Sequence, residues 1–252
     1  MRELLNMISV SLKIYIILVA VLGILTAVNA FLPQGDFALQ AQEIPIPKPI
    51  IALVNAGTVL VLYGILGFIG LKLSQKLGFP DIWDSEIPNK QRFLYPALMG
   101  IGIGLFFIVV DLLISTLHAI GPLPHPPFPS SLVVSACAAI GEEIIFRLFF
   151  IPFFIWLVSY TIFKRRWQEQ VFWVAATISA IAFALGHLPS VMMIFGISEV
   201  SAVPPVLMIE ILLLNGVLSI LAAYYFKKYG FLAAVGVHFW TDFVWHVIWG
   251  AV

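Results

Sequence analysis

A chain of 252 residues that is 62% hydrophobic and only 10% charged, with a mean hydropathy of +1.06, has too little polar surface to dissolve as a globule. Lys plus Arg and Asp plus Glu balance at 13 each, and Cys137 is the only cysteine. These figures exclude a disordered chain, nucleic-acid binding by bulk charge and a disulfide scaffold, and leave one polytopic membrane unit.

A bilayer core of about 30 Å needs roughly 20 apolar residues in a helix. Seven runs qualify: 12–32, 49–73, 94–117, 131–160, 170–190, 204–226 and 231–251. The expected fold class is all-α, a polytopic transmembrane helical bundle of about seven spans, or eight if a connection holds a re-entrant helix. The fourth run is too long for one perpendicular span and is expected to tilt, or to bend near Pro152. The first run is long and no small-residue cleavage site follows it, so it reads as a span and not as a signal peptide. Residues 1–93 form an N-terminal transmembrane region of two spans. Residues 94–252 form the core that carries the chemistry.

The charges support this count. Arg2 and Lys13 accompany the N-terminus, Lys72, Lys76, Lys90 and Arg92 the second connection, Lys164, Arg165 and Arg166 the fourth, and Lys227 and Lys228 the sixth. Eleven basic residues fall on one side and one, Lys48, on the other, with Arg147 left inside a span. The excess of Lys and Arg in cytoplasmic loops then predicts a cytoplasmic N-terminus and an external C-terminus in an integral multi-pass protein of a prokaryotic plasma membrane. The second connection, Gly78–Asn89 with Trp83, and the third, Gly121–Ser130 with five prolines and His125, read as ordered loops at the membrane surface. Gly100, Gly102 and Gly104 predict close helix packing, since no strand precedes them to make a phosphate loop.

An ionisable group at the centre of a bilayer costs about 2.5–3.5 kcal/mol on insertion scales. This chain places Asp111, Glu142, Glu143, Arg147, His187, Glu210, His238, Asp242 and His246 inside or at the edges of its spans. Such residues face the protein interior, pair with one another or line a wet cavity, which points to an enzyme or a transporter.

Glu143 and Arg147 are i,i+4 neighbours with the acid on the favourable side. Glu142 is turned about 100° away and is free for a general base. A Glu–Arg pair can equally tie helices together. His187 follows Phe183 by one turn, so the Phe183 ring lies under its imidazole. Gly186 is expected to admit a neighbouring backbone, and Pro189 to end the regular helix. His238 and Asp242 share a face, and His246 continues the stripe. That pair can bind a metal, orient an imidazole, hold a developing negative charge or clamp two helices. Trp240, Trp245 and Trp249 read as lipid-facing or interfacial anchors. Asp111, Glu210 and Asn215 have no motif around them, and Cys137 reads as a small core residue.

Glu142-Glu143-x-x-x-Arg147, Phe183-x-x-x-His187 and His238-x-x-x-Asp242 occur in that order on three spans. With this set the sequence resembles the CPBP intramembrane proteases, the CAAX proteases and bacteriocin-processing enzymes also called Abi proteins, over roughly residues 95–250. The resemblance implies a glutamate-dependent intramembrane endopeptidase. Glu142 would activate a water with help from His187, and His238 and Asp242 would form the oxyanion site. Glu143, Arg147 and Phe183 would support them. Where the family has Asn or Asp at the last position, Asp242 is expected to be protonated or to serve His238. The same four residues, Glu142, His187, His238 and Asp242, also suit zinc. The resemblance favours a site with neither metal nor cofactor. Implied partners are membrane lipid and a peptide or prenylated-protein substrate, with no nucleic acid. A transporter, or a non-catalytic scaffold or immunity-type protein keeping these residues as a helix clamp, are the competing readings.

Overall fold

The computed structural model describes residues 9–35 and 46–252. Arg2, part of the charge argument above, lies outside the described residues. Seven helices are long and apolar enough to cross a membrane: α1 (Val10–Asn29), α2 (Lys48–Leu77), α3 (Lys90–Leu117), α4 (Ser130–Ile162), α5 (Gln168–Ile194), α6 (Pro205–Tyr229) and α7 (Phe231–Ala251). Among the described residues there is no strand and no eighth helix of that kind, and the further helical element in the connections is the short 3-10 helix Val200–Ala202. The chain is an integral multi-pass membrane protein.

Local chemistry sets the helix ends. Ser9 caps α1 by accepting the Leu12 N–H at 3.2 Å. α2 and α6 carry proline in their first turn, where no N–H is needed, and end at Gly78 and Gly230 with positive φ. The connection between α2 and α3 is ordered by Arg92, which is almost fully buried. Its guanidinium donates to the Asp84 and Ile87 carbonyls and to Asn89, and lies 4.0 Å from the Trp83 ring centre. The Trp83 N–H donates to Ser11 of α1 at 3.0 Å, tying this loop to the bundle.

α4 is about 50 Å long at 1.5 Å per residue, so it must tilt or project beyond a 30 Å core. It does not stop at Pro152. It runs on as widened, π-type turns over Ile144–Phe150 and Trp156–Ile162 with a short α segment between them. Pro152 has no N–H for the Leu148 carbonyl, and wider turns redistribute the backbone bonds around that gap. Gly70 of α2 packs directly on this stretch, where any Cβ would overlap the Leu148 carbonyl. Tyr15, Val19 and Leu22 of α1 join Leu71, Ile144, Ile151, Phe172, Phe226 and Phe231 in one continuous apolar core.

α3 and α7 are clamped at two glycines. A Cβ on Gly100 would overlap the Val237 carbonyl, and one on Gly104 would meet Val244 at 2.6 Å. The Thr241 hydroxyl, fully buried, lies 3.2 Å from the Gly100 carbonyl and 2.9 Å from that of Val237, fixing the register. Gly102 has nothing within 4 Å, so the close packing expected of the three glycines falls to Gly100 and Gly104.

Three expectations are corrected. Pro189 does not end α5, which continues to Ile194 with the proline inside. Only the Leu185 carbonyl forfeits a bond from an amide there, a loss that membrane helices tolerate when neighbours hold them. Gly186 admits no neighbour and faces open space. Trp245 is no anchor: it is 5% exposed, packed edge-on against Phe107 at 5.9 Å.

Candidate active site

α4, α5 and α7 bring the three motifs to one place. Glu143, 0% exposed, meets two groups at a single oxygen: it forms an ion pair with Arg147 Nη1 at 3.1 Å and accepts a hydrogen bond from His238 Nδ1 at 2.8 Å. Glu142, on the neighbouring helical position, turns the other way. Its side chain keeps 32% of its exposure, and its Oε2 lies 3.8 Å from His238 Nε2 with no hydrogen-bond partner among the described residues. Asp242 Oδ2 lies 3.4 Å from the same Nε2. One imidazole therefore has a locked carboxylate on one nitrogen and two carboxylates facing the other.

Phe183 organises the rest. Its buried ring lies 4.8 Å from the Arg147 guanidinium, 4.9 Å from the His187 ring and 5.7 Å from the His238 ring, and Phe146 meets it edge-on at 5.3 Å. The His187 Nδ1 lies 2.8 Å from the Phe183 carbonyl. A carbonyl only accepts, so Nδ1 carries a hydrogen, and the ring in its neutral form presents a bare Nε2.

These groups line a cavity of about 250 Å³. Its lining combines polar side chains, Glu142, His187, Asn215, His238, Asp242 and His246, with apolar ones such as Phe107, Leu123, Ile211, Leu214 and Trp245. Such a cavity suits a ligand with a peptide part and a greasy part. Among the described residues, no three His, Cys, Asp or Glu side chains are arranged to hold a metal ion.

Glu142, His187 and His238 reach one cavity from unequal distances along their helices. Measured from the helix ends Ser130 and Ala251, Glu142 and His238 lie about 18 and 20 Å down their helices. His187 lies about 10 Å from the end of α5 at Ile194, deeper than a helix ending at Pro189 would put it.

Two residues without a motif join the surroundings. His125, on the proline-rich connection, places its Nδ1 3.1 Å from His246 Nδ1 and its ring edge-on to Trp245 at 4.6 Å. Burial, and then neighbouring His246, hold His125 down at about 4. His118, on the same connection, lies 3.0 Å from buried Glu210, while Asp111 accepts the Leu123 N–H at 3.0 Å. Asp111, His118 and Glu210 thereby anchor the loop whose Leu123, Pro124 and Pro126 roof the cavity. Asn215 donates to the Ile211 carbonyl at 2.9 Å. The one available signal was that two of the five histidines fall in this connection, which has no Lys or Arg.

Residues 124–244 match the family described as type II CAAX prenyl endopeptidase Rce1-like. Over that segment the chain is similar to this family. The matched segment starts on the roof of the cavity and contains every residue of the three motifs. No curated protein and no solved structure matches the chain. The match supports a CAAX-type membrane protease in general terms, acting on a peptide or protein in the membrane.

Proposed function

We propose that this Rce1-like chain is a glutamate-dependent intramembrane endopeptidase for membrane-anchored peptides, prenylated CAAX-type chains first among them. The observation that carries the reading is the convergence of Glu142, His187, His238 and Asp242 on one amphipathic cavity. Glu142, the carboxylate without a hydrogen-bond partner, takes a proton from water while the bare Nε2 of His187 holds that water in place. The resulting hydroxide attacks the scissile carbonyl. His238 donates from Nε2 to the developing oxyanion, its ring fixed from behind by Glu143 and Arg147. Asp242, beside the same nitrogen, serves His238 by orienting it. Glu142 then returns the proton to the leaving amine. General-base help contributes about 10²–10⁴ in rate, and one preorganised oxyanion donor about 10²–10³. The distribution of basic residues supports a cytoplasmic N-terminus and an external C-terminus.

The test is cleavage of a farnesylated, quenched CAAX peptide by the detergent-solubilised protein, with Glu142→Gln and Asp242→Ala alongside, each with and without a zinc chelator. Wild type is expected to cleave regardless of chelator, and Glu142→Gln to lose at least about 100-fold in rate. Undiminished cleavage by Glu142→Gln would overturn the glutamate mechanism, and undiminished cleavage by Asp242→Ala would remove Asp242 from it. Activity lost on chelation and restored by zinc would replace this mechanism with a metal-dependent one.

A further inference from the structure

We propose that the His125–His246 pair is the subsite for the C-terminal carboxylate of the peptide being cut, an inference that rests on the endopeptidase reading above. His238, Asp242 and His246 form one stripe along α7, and the His246 ring lines the same cavity as the other two. His246 follows His238 by about two turns, roughly 12 Å along the axis and slightly less through the widened turns over Phe243–Ile248. In a CAAX chain three residues follow the prenylated cysteine and end in a carboxylate. Three extended residues reach about 10 Å. A scissile carbonyl held at His238 therefore puts the chain terminus beside His246.

The pair is built to donate. Two Nδ1 atoms 3.1 Å apart share one hydrogen. With His125 donating from Nδ1, neutral His246, the ring that lines the cavity, carries its own proton on Nε2 and offers that N–H without either ring being charged. His125 is wedged against Trp245 at 4.6 Å and against Gly250, where a Cβ would meet it at 2.7 Å. The acid nearest along the stripe, Asp242, lies 3.4 Å from His238 Nε2 and also faces His246.

The experiment measures binding in the Glu142→Gln background, so that it stands apart from turnover. Farnesylated peptides with three residues after the cysteine are compared as C-terminal acid and C-terminal amide, together with acids carrying two or four residues. Binding is read from tryptophan fluorescence, since Trp245 lies beside His125. The three-residue acid is expected to bind at least about tenfold tighter than its amide and than the other lengths. With His125→Gln, His246→Gln or both added, the acid should fall to the level of the amide, thermal unfolding serving as the control for folding. Equal affinity of acid and amide overturns the proposal, with no histidine variant needed. So does a preference that survives the histidine replacements. A wild type that binds with this preference yet cleaves nothing refutes the endopeptidase reading and leaves the carboxylate subsite standing.

Discussion

Replacing Arg147 by Met probes how the site is held together. Arg147 is completely buried, pairs with Glu143 at 3.1 Å and stacks on Phe183 at 4.8 Å. Removing one partner of a buried ion pair costs about 3–5 kcal/mol, because a charge is left buried without compensation. Glu143 keeps one donor, His238 Nδ1 at 2.8 Å, so the loss belongs near the lower end, about 3 kcal/mol. Glu143→Leu leaves the guanidinium without its carboxylate and should cost about 3–5 kcal/mol. The double variant Glu143→Leu/Arg147→Met replaces both charges by apolar groups. It abandons only the His238 Nδ1 donor, about 1–3 kcal/mol. The double should therefore be more stable than either single, with a coupling of at least about 3 kcal/mol between the two positions. It should still be inactive, because the His238 ring has lost its fixed orientation. The assay is denaturant unfolding in mixed micelles followed by circular dichroism, with peptide cleavage in parallel. Single-variant losses that add within about 0.5 kcal/mol, or an Arg147→Met loss below about 1 kcal/mol, would refute the reasoning.

The α3–α7 clamp predicts a contrast between neighbouring glycines. Gly104→Val should overlap Val244 and the Thr241 carbonyl, lower the unfolding midpoint and abolish cleavage, while Gly102→Val, with nothing within 4 Å, should do neither. Equal effects in a thermal-shift series would sink the clamp. For His125, held at about 4 in the folded protein against about 6.5 unfolded, the unfolded chain takes up a proton that the folded chain refuses as pH falls. His125 thus drains stability between about pH 6.5 and pH 4, and none of this loss is felt above that window. His125→Gln should flatten the decline in melting temperature there, and an unchanged slope would contradict the burial argument.

The seven spans were legible because each apolar run exceeds the membrane thickness and because the basic residues sort to alternate connections. Pro189 misled because a proline is a strong stop signal in water, whereas α5 is held by its packing on α6. The pairing of Glu143 with Arg147 follows from helical spacing. The second partner of Glu143, His238, comes from another helix 95 positions away, and spacing along one helix carries no information about it. His118 and His125 stayed hidden for a related reason. They sit in a loop, where no periodicity reports which face meets the cavity. Trp245 was read as an anchor because aromatic residues near span ends are usually interfacial, yet its stripe on α7 continues that of the site.

Isotope tracing in a single turnover tests the water-activating role of Glu142 most directly. The chelator-treated wild type is mixed in excess with farnesylated peptide in water enriched in oxygen-18. The cleaved peptide, and the protein fragment containing Glu142, are then weighed. Direct attack by water predicts one heavy oxygen in the new carboxylate of the product and none in the Glu142 fragment. Heavy oxygen in Glu142 would mean that its carboxylate had formed a covalent acyl intermediate, and would contradict the account.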